Sequence, residues 1–299
     1  MNKQKMHIGY FADGPWGHNA FHKMMKDETL VIDFVCVRYD KKDSVLMEMA
    51  QKQNIDVLYT INVNSEEFLT RLKEYPSDLY VSMSFNQIFR ENIRNIPEKS
   101  VINCHAGKLP YYRGRNILNW ALINDEKEFG ITVHYVDSGI DTGDIILQDT
   151  YPITDEDTYQ TLLEKAYSAC PDILYRAIKL IQKDDVKVIK QNDIHSAGLY
   201  CGMRKENDEI LDWNQTSREV FNFIRAITTP GPCACSYING TQIKIISSQL
   251  IEGAPIYKGI PGQVLAKEDG FFLVKTKDSY IQIREYEGKI KVGDRLRKA

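Results

Sequence analysis

The sequence predicts an α/β fold, with a Rossmann-like, doubly wound N-terminal domain and a small C-terminal β-barrel of OB-like type. Three observations carry that expectation. The first half alternates strand-like apolar runs with helix-like amphipathic runs. Residues 30–39 are almost continuously apolar, the pattern of a strand buried on both faces of a parallel sheet. Beyond about residue 205 the texture changes to short strands separated by turn residues. The expected domains are therefore 1–205 and 206–299.

The elements follow in order. Residues 7–12 read as a strand, followed by the turn-rich Asp13-Gly14-Pro15-Trp16-Gly17 and a helix from His18. Gly9, Gly14 and Gly17 do not spell G-x-G-x-x-G, so a bound nicotinamide or flavin dinucleotide is not indicated. A strand over 30–39, a helix over 44–53, a short strand over 57–60, a helix over 66–75 and a strand over 79–85 continue the rhythm. The next strand, 100–103, delivers Asn103 and His105 at its carboxyl end, where open sheets bind ligands. Residues 120–124 look helical, 130–136 form a strand, and the loop 138–143 carries Asp141. Asp157-Thr-Tyr-Gln160 resembles a capping box that opens a helix running to about 182, which Pro171 should kink or split. Residues 195–207 are polar and turn-like. A helix over 218–226 ends at Pro230-Gly231-Pro232, and strands are expected over 234–237, 243–250, 262–266, 271–276 and 280–285. Asn239-Gly240 is a hairpin signal.

Composition excludes several classes. The chain has 299 residues, 43% hydrophobic, enough for a proper core. Lys plus Arg number 38 against 41 Asp plus Glu, a formal charge of −3 with no electrostatic footprint for nucleic acid. Six cysteines at 36, 104, 170, 201, 233 and 235 match neither a disulfide framework nor a zinc site. They fit a reducing compartment, and no metal is expected. The start has a short basic lead and an apolar run only a strand long, neither a signal peptide nor a membrane span. A soluble cytoplasmic protein with no membrane partner is the expectation.

The chemistry lies in Asn103, His105 and Asp141. An amide can hydrogen-bond a developing oxyanion, an imidazole can move a proton near neutral pH, and a carboxylate can orient and charge the imidazole. No serine or cysteine nucleophile is needed if the substrate carries an amine. Gly107, Gly114, Gly139 and Gly143 leave room for close backbone approach to a ligand, and Lys108, Arg113 and Arg115 add positive charge suited to anionic groups.

The run from Asn103-Cys-His105 through Leu109-Pro110, Asn119-Trp120-Ala121 and Gly130-Ile-Thr-Val-His134 to Asp137-Ser-Gly-Ile-Asp141-Thr-Gly-Asp144 resembles the 10-formyltetrahydrofolate-dependent formyltransferases. The likeness resumes at Asp212-Trp213 and Ile224-Arg225-Ala226. The resemblance implies formyl transfer from 10-formyltetrahydrofolate to a primary amine. Asn103 and protonated His105 would steady the oxyanion, and His105 or Asp141 would carry the proton. It implies folate contacts around Gln87, Ile88, Phe89, Arg115, Asp137, Ser138, Gly139 and Ile140, with the apolar pair Ile88 and Phe89 against the pterin.

Three branches differ in the acceptor. The branch that formylates glycinamide ribonucleotide resembles the first domain alone, and this chain is longer. Methionyl-tRNA formyltransferase has a long basic insertion after the second strand, whereas here Tyr39-Asp-Lys-Lys-Asp43 runs at once into a helix. It is kept as the alternative. The nucleotide-sugar branch fits better and implies a nucleotide-linked 4-amino-4,6-dideoxy sugar, with UDP preferred to dTDP and the pseudaminic-acid-pathway enzyme the nearest in kind. Contacts to that acceptor would come from Lys108, Asn116, Arg204, Lys205 and Tyr237. Family analogy alone implies a homodimer.

Overall fold

The computed structural model describes residues 5–298, so the basic lead at 1–4 and residue 299 lie outside it. Contacts divide the chain into two compact units: Met1–Arg115, Gly130–Tyr151 and Glu164–Cys201 in the first, and Asn116–Phe129, Pro152–Leu163 and Gly202–Ala299 in the second. Two segments that precede residue 205 thus belong, by their contacts, with the C-terminal strands.

The elements are β1 (Met6–Ala12), α1 (Gly14–Met25), β2 (Leu30–Cys36), α2 (Ser44–Lys52), β3 (Asp56–Leu58), α3 (Glu66–Leu72), β4 (Leu79–Met83), α4 (Glu91–Arg94) and β5 (Val101–His105). Then come β6 (Arg113–Gly114), α5 (Ile117–Ile123), β7 (Glu128–Tyr135), β8 (Ile145–Pro152), α6 (Tyr159–Gln182), α7 (Gln191–Ile194), β9 (Tyr200–Cys201) and α8 (Ser217–Ala226). The last strands are β10 (Ala234–Ile238), β11 (Thr241–Gln249), β12 (Val264–Glu268), β13 (Phe271–Lys275) and β14 (Tyr280–Glu287).

The main sheet runs β3-β2-β1-β4-β5-β7-β8. Strands β3 to β5 pair in parallel, and β7 joins β5 antiparallel. The chain winds outward from β1 to β3, then restarts on the other side at β4, so strand order reverses between β1 and β4. Ligands of such sheets bind beyond the carboxyl ends at that switch point. Strands β1, β4 and β5 end there at Ala12, Met83 and His105.

Three local expectations change. Helix α1 starts at Gly14 rather than His18, because Pro15 is pre-shaped for the first turn and Asp13 is already extended. Pro171 does not split the long helix: α6 is continuous from Tyr159 to Gln182. The missing Pro171 N–H leaves the Tyr167 carbonyl without its helical donor, and Asn19 Nδ2 donates to it at 3.1 Å. Thr158 and Thr161 bond each other at the start of this helix. Thr158 Oγ1 accepts from Thr161 N at 3.4 Å, and Thr161 Oγ1 accepts from Thr158 N at 3.0 Å. Strand β8 was not anticipated, since Gln148, Asp149 and Thr150 interrupt its apolar pattern at the sheet edge.

In the second unit the antiparallel order is β10-β11-β14-β13-β12. Its two end strands are joined through the C-terminal segment. Arg297 exchanges backbone bonds of 2.9 and 3.0 Å with Tyr237 on β10, while Val264 N and Leu296 N bond Asp294 O and Gly262 O at 2.9 and 2.8 Å beside β12. The sheet is thereby closed into the expected barrel, with Ile243, Ile245, Phe272, Val274, Ile281 and Ile283 buried. Asn239 and Gly240 turn the β10–β11 hairpin at φ 49° and 77°, both in the left-handed region that an Asn-Gly pair tolerates. Helix α8 opens with a capping box between Thr216 and Glu219.

Candidate active site

Strand alternation puts Asn103 and His105 on one face of β5 and Cys104 on the other. The antiparallel register pairs Asn103 with His134 and His105 with Thr132 on β7. Directly opposed residues project to the same side, so the His134 imidazole joins the pair. Its Nε2 lies 3.3 Å from Asn103 Nδ2, and its Nδ1 lies 2.8 Å from the Tyr135 carbonyl oxygen. With Nδ1–H donating to that carbonyl, Nε2 accepts from the Asn103 amide in the neutral ring and faces the Asp141 carboxylate as a donor in the protonated one. One amide hydrogen of Asn103 remains for a ligand.

Asp141 reaches this face from the loop after β7. Its Oδ2 lies 3.7 Å from His105 Nδ1, its Oδ1 lies 3.5 Å from His134 Nε2, and the Gly114 N–H donates to Oδ2 at 2.9 Å. Asp141 adopts φ 54°, a left-handed conformation that Asp accepts better than most residues. The loop returns to β7 at Gly143, where a Cβ would sit 1.8 Å from the Tyr135 carbonyl oxygen. Burial works against charge on Asp141, but the His105 imidazole, His134 and the Gly114 N–H together hold its carboxyl well below the usual carboxylate range.

His105 Nε2 lies 2.6 Å from the Tyr112 carbonyl oxygen. Both ring nitrogens therefore face acceptors, an arrangement that the doubly protonated ring matches in full. Cys104 points away, its thiol toward the Cys170 carbonyl at 3.8 Å. Cys170 and burial push that thiol well above its ordinary value, so it offers no thiolate. A steadied amide donor, an imidazole and an anchored carboxylate on one face suit acyl transfer to an amine brought by the substrate.

The other expected residues divide. Asp137 Oδ1 accepts from Gly139 N at 3.0 Å and from Thr142 Oγ1 at 2.5 Å, which shapes the loop holding Ser138, Gly139 and Ile140, all exposed. Ile88 is exposed at 60%, but Phe89 is 4% exposed and packs on Phe11 and Phe85 at 5.0 and 5.9 Å, so its ring is core and not a platform for a pterin. The Gln87 side chain spans the loop before α3, accepting from Val63 N and donating to Thr60 O, both at 2.9 Å. Arg115 is exposed, and its N–H bonds Cys201 O at 3.1 Å. Lys108 is half-buried and its backbone packs on Gly130. Arg113 is not an open cation for anions: it is 8% exposed and bonds Gln191. The space beside Gly107 is filled by the His105 ring and the Tyr112 carbonyl, so that glycine serves packing, not ligand approach.

Asn116, Arg204, Lys205 and Tyr237 lie in the second unit. Asn116 Oδ1 accepts from Arg204 N at 3.0 Å, which brings those two together. Lys205 is exposed, with its N–H on Asp208 Oδ2 at 2.7 Å, and Tyr237 sits on β10. Sequence reasoning missed His134 and Gln191. The signal for His134 was a lone imidazole in an otherwise apolar alternating strand. Gln191 carried none.

A further feature concerns anions. The first N–H of α1 donates to Asp43 Oδ2 at 2.7 Å, and that carboxylate also meets His18 Nε2 at 2.7 Å and caps α2 at Leu46 N, 3.0 Å. The helix end where a doubly wound fold often receives phosphate is thus occupied by the protein's own carboxylate.

A family model described as formyl transferase matches residues 12–178, and one described as formyl transferase, C-terminal domain, matches 204–293. The chain belongs to the formyl transferase family. As a formyltransferase it is similar in sequence to the methionyl-tRNA formyltransferases of Syntrophomonas wolfei, 31% identical over 80% of this chain and 75% of that protein. The one from Pelotomaculum thermopropionicum is 32% identical over 84% and 80%. In fold it is similar to WlaRD, a sugar 3N-formyl transferase solved with dTDP and 5-N-formyl-THF, at TM-score 0.69 and 24% identity over 97% of this chain and 100% of that one. It is also similar to an N-formyltransferase from Helicobacter canadensis, solved with folinic acid and dTDP-3-aminofucose, at TM-score 0.68 and 23% identity over 94% and 100%. Among the described residues, no group of three or more His, Cys, Asp or Glu side chains is placed to hold a metal ion. No helix there is long and apolar enough to cross a membrane.

Proposed function

We propose that this formyltransferase moves the formyl group of 10-formyltetrahydrofolate to the amino group of a nucleotide-linked 4-amino-4,6-dideoxy sugar, with UDP as the nucleotide. The neutral amine attacks the formyl carbon and a C–N bond forms. Asn103 donates to the resulting oxyanion beside the positive His105 ring. The amine proton passes by way of His105 or Asp141 to folate N10, and the bond from formyl carbon to N10 breaks, leaving the N-formylated sugar and tetrahydrofolate. Folate contacts are proposed for the backbone at Gln87, Ile88 and Phe89 and for Arg115, Asp137, Ser138, Gly139 and Ile140. Acceptor contacts are proposed for Lys108, Asn116, Arg204, Lys205 and Tyr237.

The observation that carries the choice of acceptor is the short connection between β2 and α2. It is only residues 37–43, and Arg38 is paired within the protein to Asp13 at 3.3 Å and Asp40 at 2.6 Å. A polyanionic tRNA would gain little from it. The sugar-acting enzymes of like fold support the same acceptor class. A second reading, formylation of methionyl-tRNA, is favoured by the named sequence relatives. The test incubates the protein with 10-formyltetrahydrofolate and a panel of UDP- and dTDP-amino sugars, reading the gain of one formyl group by mass. Formylation of a UDP-4-amino sugar is expected. A panel left unmodified, with charged initiator tRNA formylated, overturns the reading.

A further inference from the structure

We infer that Gln191 and Arg113 are positioning residues that hold Asp141 at its working place; this rests on the reading that Asp141 acts in formyl transfer. Gln191 is 3% exposed and uses its whole amide. Its Nε2 donates to the backbone carbonyls of Asp141 and Gly143, both at 2.8 Å. Its Oε1 accepts from Arg113 Nε at 3.0 Å and Nη2 at 2.7 Å. The amide thus pins the Asp141 loop on both sides of Thr142 and is itself fixed by a buried guanidinium.

Arg113 is fixed in turn. Its backbone N–H bonds Leu199 O at 3.1 Å, and β6 pairs with β9 through Arg113 and Tyr200. The guanidinium lies against Gly198, where any Cβ would come within 2.2 Å of it. The next residue, Gly114, gives its N–H to Asp141 Oδ2. One two-residue strand therefore controls Asp141 twice, at its carboxylate through Gly114 and at its backbone through Arg113 and Gln191. A loop residue in the left-handed region needs such outside support, since local preference does not favour it. Only an amide fits the post, because it must accept from a cation on one side and donate to carbonyls on the other.

Gln191→Glu separates this role from mere folding. Its carboxylate still accepts from Arg113, now with charge assistance, but loses both donors to the loop carbonyls. The expected result is a folded protein whose kcat falls about 10- to 100-fold, with KM for 10-formyltetrahydrofolate and affinity for folinic acid within about twofold. A kcat within about threefold of the parent overturns the inference. If Gln191→Glu does not fold, Arg113→Lys tests the same link: a folded variant with reduced kcat and unchanged KM supports it, and unchanged kcat or collapse of both variants overturns it. Turnover is measured with the acceptor that the panel identifies, sugar or charged tRNA. Asp141→Asn is run alongside. If that variant keeps full turnover, the reading of Asp141 fails; if it loses turnover while Gln191→Glu does not, only the positioning role fails.

Discussion

Asn103, His105 and Asp141 meet because a period-two strand faces a second strand in antiparallel register and a short loop folds back over both. Asn103 Nδ2 lies against His134 Nε2 and has at least one amide hydrogen to offer. Asn103→Ala should therefore lower kcat on the order of 10²–10³-fold with donor binding kept, as steady-state kinetics and folinic acid titration would read. Equal losses in binding and turnover would instead mark a passive contact. Asp141 yields a pH prediction. Its carboxyl in the fold sits below its unfolded value near 4, so the ionised group stabilises the protein above about pH 4, and that contribution disappears as pH falls through the folded value. Asp141→Asn should lower Tm between about pH 5 and 8, and the gap should close on acidification. A gap independent of pH would contradict the charge assignment. The three groups were legible in the sequence because polar side chains at a strand end and in a Gly-rich loop stand out. His134 and Gln191 were not, because a histidine in an apolar strand and a glutamine in a polar stretch look ordinary until tertiary contacts join them. Phe89 misled for the opposite reason: an aromatic beside an exposed Ile88 reads as a ligand platform, yet it completes the cluster around Phe11.

At the scale of elements, local chemistry explains most boundaries. The Rossmann-like strands and the barrel strands followed from apolar runs and turn residues, and the Asn239-Gly240 hairpin forms where its dipeptide indicates. What local pattern could not supply was help from afar. Helix α6 runs through Pro171 because Asn19, far away in sequence, takes up the released Tyr167 carbonyl. The closing segment 294–297 has no strand signature of its own, and its backbone bonds go to partners on β10 and beside β12, far away in sequence. Helix α8 is the clearest test of local control. Thr216 and Glu219 cap each other's backbone, and Asn119 Nδ2 takes the Ala226 carbonyl at the other end, 2.7 Å away. Thr216→Ala should cost about 1 kcal/mol in urea unfolding with m unchanged. No change in midpoint would show that tertiary packing alone holds the helix.

Over the whole molecule, the question is which amine the site serves. The chain carries a net charge of −3 and only a short connection after the second strand, whose Arg38 is paired within the protein. A nucleotide sugar needs one or two phosphate contacts, whereas a tRNA needs many. Transfer to a UDP-amino sugar should therefore change little between about 50 and 200 mM salt, while transfer to a tRNA should fall steeply. The measurement that decides most directly is a head-to-head one. The protein is given 10-formyltetrahydrofolate with a UDP-4-amino-4,6-dideoxy sugar in one reaction and charged initiator methionyl-tRNA in another, and kcat/KM is compared. Formyl-sugar formation that depends on Asn103 and is insensitive to salt is expected, with negligible formyl-methionyl-tRNA. Efficient, salt-sensitive formylation of the tRNA with the sugar untouched would contradict it.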